Sequence, residues 1–162
     1  MQSGWHNLPA VNGCEQPAGA AFRADAFAPE EGGTRISFAG AYPAVAGLRS
    51  LVRRIGIAAE GVTVTDAFSF AADTGSVSEH FVTPLDVKAE GSRVILGGRF
   101  VLEADLPCRI RTEYQSFDGD AKLIRAWGVE GVRRVLFDFD LPKEAAVTFS
   151  LRPAMPPVAQ RA

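Results

Sequence analysis

The sequence predicts an all-β fold, an antiparallel β-sandwich of stacked sheets preceded by an irregular amino-terminal arm. Three observations carry this expectation. Apolar residues recur with period two through most of the chain after residue 34, as strands with one buried face require. No segment long enough for a stable helix repeats its apolar residues with a period near 3.6. Short strands are separated by turn-forming residues at nearly regular spacing, which favours a sandwich.

Taken in order, residues 1–34 are rich in Gly, Ala and Pro and are expected to wrap the sandwich as an arm. The sandwich is expected over 35–152, with strands at 35–38, 49–57, 62–70, 78–83, 93–96, 100–103, 109–114, 123–127, 133–139 and 145–152. In the third of these, Val62, Val64, Phe68 and Phe70 alternate with Thr63, Thr65 and Ser69, the pattern of a strand with one wet face. The breaks fall at Glu60-Gly61, Asp73-Thr74-Gly75, Glu90-Gly91-Ser92, Asp118-Gly119-Asp120 and Glu130-Gly131, where glycine reaches positive φ and aspartate bonds its own backbone. The inward faces are expected to hold Ile36, Phe38, Leu51, Ile55, Val62, Val64, Phe68, Trp127, Leu136, Phe149 and Leu151. Residues 153–162, with Pro153, Pro156 and Pro157, read as an extended tail.

Composition bounds the function. The 162 residues suit one domain, and a 47% hydrophobic content is enough for a core. Lys and Arg number 17 against 19 Asp and Glu, with no run of either sign, which argues against nucleic acid as a partner. No stretch approaches the roughly 18 apolar residues of a membrane span. The opening residues lack a basic leader ahead of an apolar segment, so no signal peptide is expected among them. Two cysteines, Cys14 and Cys108, are too few for a disulfide framework or a four-cysteine zinc site; two separate thiols or a single bridge both remain open.

Motifs for catalysis are scarce. The chain has no phosphate-binding glycine loop, no Gly-x-Ser-x-Gly elbow and no His-Glu-x-x-His helix. Its histidines are His6, in the arm, and His80, on a strand beside Phe81; each reads first as a structural side chain. Tyr42, before Pro43, and Tyr114, at a strand end, could serve as acid or base only with a shifted pKa, and both read as amphipathic caps on a core. Arg49, Arg53, Arg54 and the pair Arg133-Arg134 could grip carboxylate or sulfate, although a solvated or ion-paired face is the simpler reading.

Read as an ordered set, the segments His6-Asn7, Asn12-Gly13 with Glu15-Gln16, Ala41-Tyr42-Pro43, Arg53-Arg54 before Val62-Thr63-Val64-Thr65-Asp66, Glu79-His80-Phe81, and Trp127-Gly128 before Arg133-Arg134 resemble the carboxy-terminal β-sandwich of heparinase II/III-like polysaccharide lyases. The resemblance spans nearly the whole chain. It implies a periplasmic or secreted parent, with an amino-terminal α/α toroid as the partner domain and an acidic polysaccharide, such as a glycosaminoglycan or alginate, held between the two. It implies cleavage by β-elimination, with the catalytic residues supplied from outside this chain and none within it. It also maps a metal-binding histidine onto His6, which in the intact parent would join a structural zinc; one histidine holds no zinc alone, so no cofactor is expected in this chain by itself. Outside that resemblance, a free-standing carbohydrate-binding or purely structural interaction sandwich fits the same residues.

Overall fold

In the computed structural model, which describes residues 3–154, the chain forms ten antiparallel strands and one short helix. The strands are β1 (Ala10–Val11), β2 (Ala26–Glu30), β3 (Gly33–Ser37), β4 (Leu48–Ala58), β5 (Gly61–Thr83), β6 (Val87–Glu90), β7 (Arg93–Leu96), β8 (Phe100–Ala104), β9 (Arg109–Ser116) and β10 (Gly131–Pro153); the helix is α1 (Ala121–Trp127). They join in the order β2-β3-β4-β5-β10-β8-β7-β6, with β1 added to β5 and β9 to β10.

The two 23-residue strands make the sandwich. Phe137 and Phe149 lie twelve residues apart on β10, which in a straight strand would separate them by about 40 Å. Their ring centroids are 5.1 Å apart, and Phe81 of β5 stands 4.8 Å from Phe149. The long strands therefore fold over, laying one half of the sheet on the other with aromatic rings between, edge to face as ring quadrupoles prefer.

The bend has a traceable origin. Thr74 pairs with Pro142 and Ser69 with Glu144, so residues 70–73 of β5 stand opposite Lys143 alone. This three-residue excess is odd, and it reverses which β5 side chains face inward. Asp66, Phe68 and Phe70 are buried before the bend; Val77 and Glu79 are buried after it. Pro142, which cannot donate to the ladder, sits where pairing breaks.

Several expectations need correction. The strands expected at 62–70 and 78–83 are one strand, as are those at 133–139 and 145–152, because Asp73-Thr74-Gly75 serves as a bulge rather than a hairpin. The segment 123–127 is helical: the Asp120 carboxylate accepts hydrogen bonds from Lys122 N and Leu123 N, and Gly128, at φ 71°, closes the other end. Trp127 lies on that helix, 41% exposed, and is not a core residue. Phe38, Leu51, Phe68, Leu136 and Phe149 are buried; Ile36, Val64 and Leu151 pack half-buried against the core; Ile55 and Val62 are half-exposed at its margin. The arm is partly regular, since β1 pairs with β5 and β2 with β3. Of the expected tail, Pro153 still belongs to β10 and 155–162 lies outside the described residues.

Candidate functional site

Two polar centres stand out, one inside the sandwich and one on its surface. The inner one is built on two adjacent strands, β4 and β5. Arg53 of β4 faces Asp66 of β5 across the ladder, and the bend brings Glu79 of β5 over both. The Arg53 guanidinium donates through Nε to Asp66 Oδ1 at 2.7 Å, through Nη2 to Asp66 Oδ2, and through Nη2 to Glu79 Oε2 at 3.1 Å. Both carboxylates are fully buried. Burial, and then the Asp66 charge beside it, push the Glu79 pKa well above the usual carboxylate range, against the pull of Arg53. Among the described residues the Glu79 Oε1 atom has no hydrogen-bond partner.

This cluster holds the arm. Arg53 Nη1 donates to Asn7 O at 2.5 Å, and Tyr42 Oη donates to Pro9 O at 2.5 Å. Asn7 in turn accepts from Val82 N through its side chain at 2.7 Å. Asn12, at φ 49°, accepts from Ser76 N and donates to Ala46 O, both at 2.8 Å. Residues 7–12 are thus fixed to the sandwich by side chains that bond to backbone groups. Tyr42 is a core cap, and burial pushes its phenol far above its ordinary range.

On the opposite face of β5, His80 is buried beside Arg134, which stacks 4.7 Å from the Trp5 ring and donates to Glu113 at 2.5 Å. Burial, then the Arg134 charge, lowers the His80 pKa, and among the described residues its Nδ1 has no partner. His6 is exposed. Among the described residues no three His, Cys, Asp or Glu side chains gather into a metal-sized cluster, so His6 offers one imidazole and the residues present do not fit a zinc site alone. Cys14 and Cys108 are free thiols.

The arginines of the sequence do not form a basic patch. Arg53 is interior; Arg54, its neighbour, is exposed and 3.6 Å from Glu30; Arg49 is exposed. Arg133 enters the surface centre, an open groove of about 510 Å³ lined by Asp86, Arg99, Tyr114, Glu130 and Arg133. It lies where the β5–β6 turn, the β7–β8 turn and the start of β10 converge on β9. Tyr114 is 56% exposed, with the Arg133 guanidinium 5.5 Å from its ring centroid. Arg133 also pairs with Asp86 at 2.9 Å. The ring lies across Gly131, where a Cβ would come within 2.4 Å of the Tyr114 hydroxyl.

Fold and site together define a β-sandwich module with a clasped amino-terminal arm and an open aromatic-polar groove. Among solved structures the same fold occurs in a heparinase III with methylated lysines, at a TM-score of 0.64 and 15% identity, covering 96% of this chain and 24% of that one. It occurs also in the heparan sulfate lyase HepC from Pedobacter heparinus, at 0.62 and 11% identity, covering 96% and 25%. The chain therefore has the fold of a part of these lyases and spans about a quarter of their length. No family model matches the sequence, and no curated protein does.

The inner cluster escapes a reading of the sequence by segments because its members are 13 and 26 positions apart. A signal was nevertheless present: Asp66 interrupts the inward row Val64, Phe68, Phe70, and Glu79 follows Val77 at the same spacing. A carboxylate on the apolar phase of a strand marks a buried ion pair.

Proposed function

We propose that this chain is the β-sandwich module of a heparinase II/III-like polysaccharide lyase, supporting and partly walling a cleft for an acidic polysaccharide against an α/α toroid. The observation that carries the reading is the match over 96% of this chain to about a quarter of a heparinase III and of a heparan sulfate lyase, joined to a family resemblance in its ordered sequence segments. A periplasmic or secreted parent accompanies this reading.

The chemistry of the chain supports a wall rather than a reaction centre. β-Elimination needs a base at the C5 proton and a group that stabilises the developing enolate-like charge, both within hydrogen-bond reach. Tyr42 is buried with its phenol held protonated, and His80 is buried near the charges of Arg134, Glu15 and Glu113. His6 and Tyr114 are exposed at separate places, the arm and the groove. In the proposal, catalytic groups and the remaining ligands of any structural zinc come from the rest of the parent, and this chain contributes the rigid arm that fixes the wall. A carbohydrate-binding role without cleavage is favoured by one feature, the open groove at Tyr114.

The test compares this chain with a longer chain that includes the preceding reading frame. Each is incubated with heparan sulfate, heparin, alginate and hyaluronan while the unsaturated uronate product is followed by ultraviolet absorbance. Turnover is expected from the longer chain alone. Turnover by this chain, abolished by His80→Ala or Tyr42→Phe, would make the sandwich itself the enzyme and end the proposal.

A further inference from the structure

We propose that the groove at Tyr114 is a binding subsite for a carboxylate-bearing pyranose ring, with Tyr114 as the platform and Arg99 and Arg133 as the anion donors. The groove rests on its own geometry; that the sugar belongs to an acidic polysaccharide rests on the proposed lyase reading.

Its volume of about 510 Å³ falls within the roughly 300–1,000 Å³ of small-molecule sites. A pyranose presents an apolar C–H face and a rim of hydroxyls, so its recognition calls for an accessible flat ring with polar groups around it. Tyr114 supplies the ring: it is one of two tyrosines in the chain, and the one left open to solvent. Its position is set from below, since the absence of a Cβ at Gly131 leaves room for the phenol to lie across the backbone. Fixing a ring in advance lowers the ordering cost of binding.

The charges complete the site. Arg99 is exposed, and among the described residues it has no acidic partner, only the Phe100 ring 5.8 Å from its guanidinium. Its fork is free to take a carboxylate by two parallel hydrogen bonds. Arg133 is held by Asp86, whose side chain is 88% exposed; such a surface pair is weak enough to exchange for a ligand carboxylate. Asp86 and Glu130 then stand at the rim as acceptors for sugar hydroxyls. Arg49 and Arg54 lack this setting, for neither lines the groove.

The experiment is a calorimetric titration of the full chain with a uronate–hexosamine tetrasaccharide, with a neutral glucose tetrasaccharide as the contrast. Saturable binding of the acidic sugar is expected, weakening as salt is raised. Tyr114→Ala and Arg99→Gln should each reduce affinity about tenfold or more, as loss of a stacking platform or a charge-assisted donor does. Tyr114→Phe keeps the ring and should retain most of the affinity, which guards against misreading a folding defect in the alanine variant. Arg54→Ala should bind as the unmodified chain. Acidic sugar bound equally by Tyr114→Ala and Arg99→Gln, no saturable binding, or equal affinity for the neutral sugar would each overturn the subsite. The lyase reading is decided separately by the longer chain's turnover.

Discussion

Each of the two tyrosines stands beside an arginine, and the two pairs serve opposite ends. Tyr42 and Arg53 are sealed in the sandwich, where each nitrogen of the guanidinium donates to an oxygen and the phenol is spent on Pro9 O. Tyr114 and Arg133 lie open, joined to one another by cation–π contact and to solvent by the groove. The same chemistry thus fixes a chain when buried and complete, and leaves binding capacity when exposed and incomplete. Desolvation makes the difference: a buried donor left unpaired costs far more than an exposed one.

The contrast breaks most visibly at Arg53. Replacing it with Leu strands Asp66 and Glu79 without a counter-charge and should cost about 3–5 kcal/mol, read as a large fall in the urea midpoint or loss of the folded state. An Arg53→Leu protein with an unchanged midpoint would mean the cluster contributes nothing. The tyrosines give a finer comparison. Tyr42→Phe leaves the Pro9 carbonyl unpaired and should cost about 1–3 kcal/mol, whereas Tyr114→Phe should move stability by less than about 0.5 kcal/mol. Equal effects in denaturation would erase the distinction between the pairs.

The smallest expected effect is a change of slope. Because the folded pKa of Glu79 is raised, the folded state holds a proton that the unfolded chain releases above its ordinary value of 4.5. The associated stability is full below that value and is lost as pH rises through the folded pKa. Glu79→Gln, which imitates the protonated acid, should flatten the decline in unfolding free energy on the alkaline side of pH 4.5. A decline of unchanged steepness would assign it to other groups.

Much of the sheet was legible because period two is written locally: the row through Val62–Phe70 names its own face, whereas Val135, Leu136 and Phe137 are all buried, and only Leu136 of that stretch was expected inward. The joins were not. Asp73-Thr74-Gly75 has turn chemistry, and only pairing with β10 decides that it bulges instead. The helix at Ala121–Trp127 is too short to display its period, and its capping Asp120 belongs to a triplet equally suited to a hairpin. Tyr42 was readable as a cap on the core, whereas the groove was not readable at all, since Arg99, Tyr114 and Arg133 meet only through the strand order.

The continuity of β5 and β10 through both layers also bears on how the molecule comes apart. Domains joined by linkers own separate ladders and can melt one at a time. Here the layers share two unbroken strands, and the ring cluster at Phe81, Phe137 and Phe149 closes only when both ends of β10 are in place. Neither layer keeps this ring cluster without the other, so the two layers are expected to unfold together in one cooperative transition.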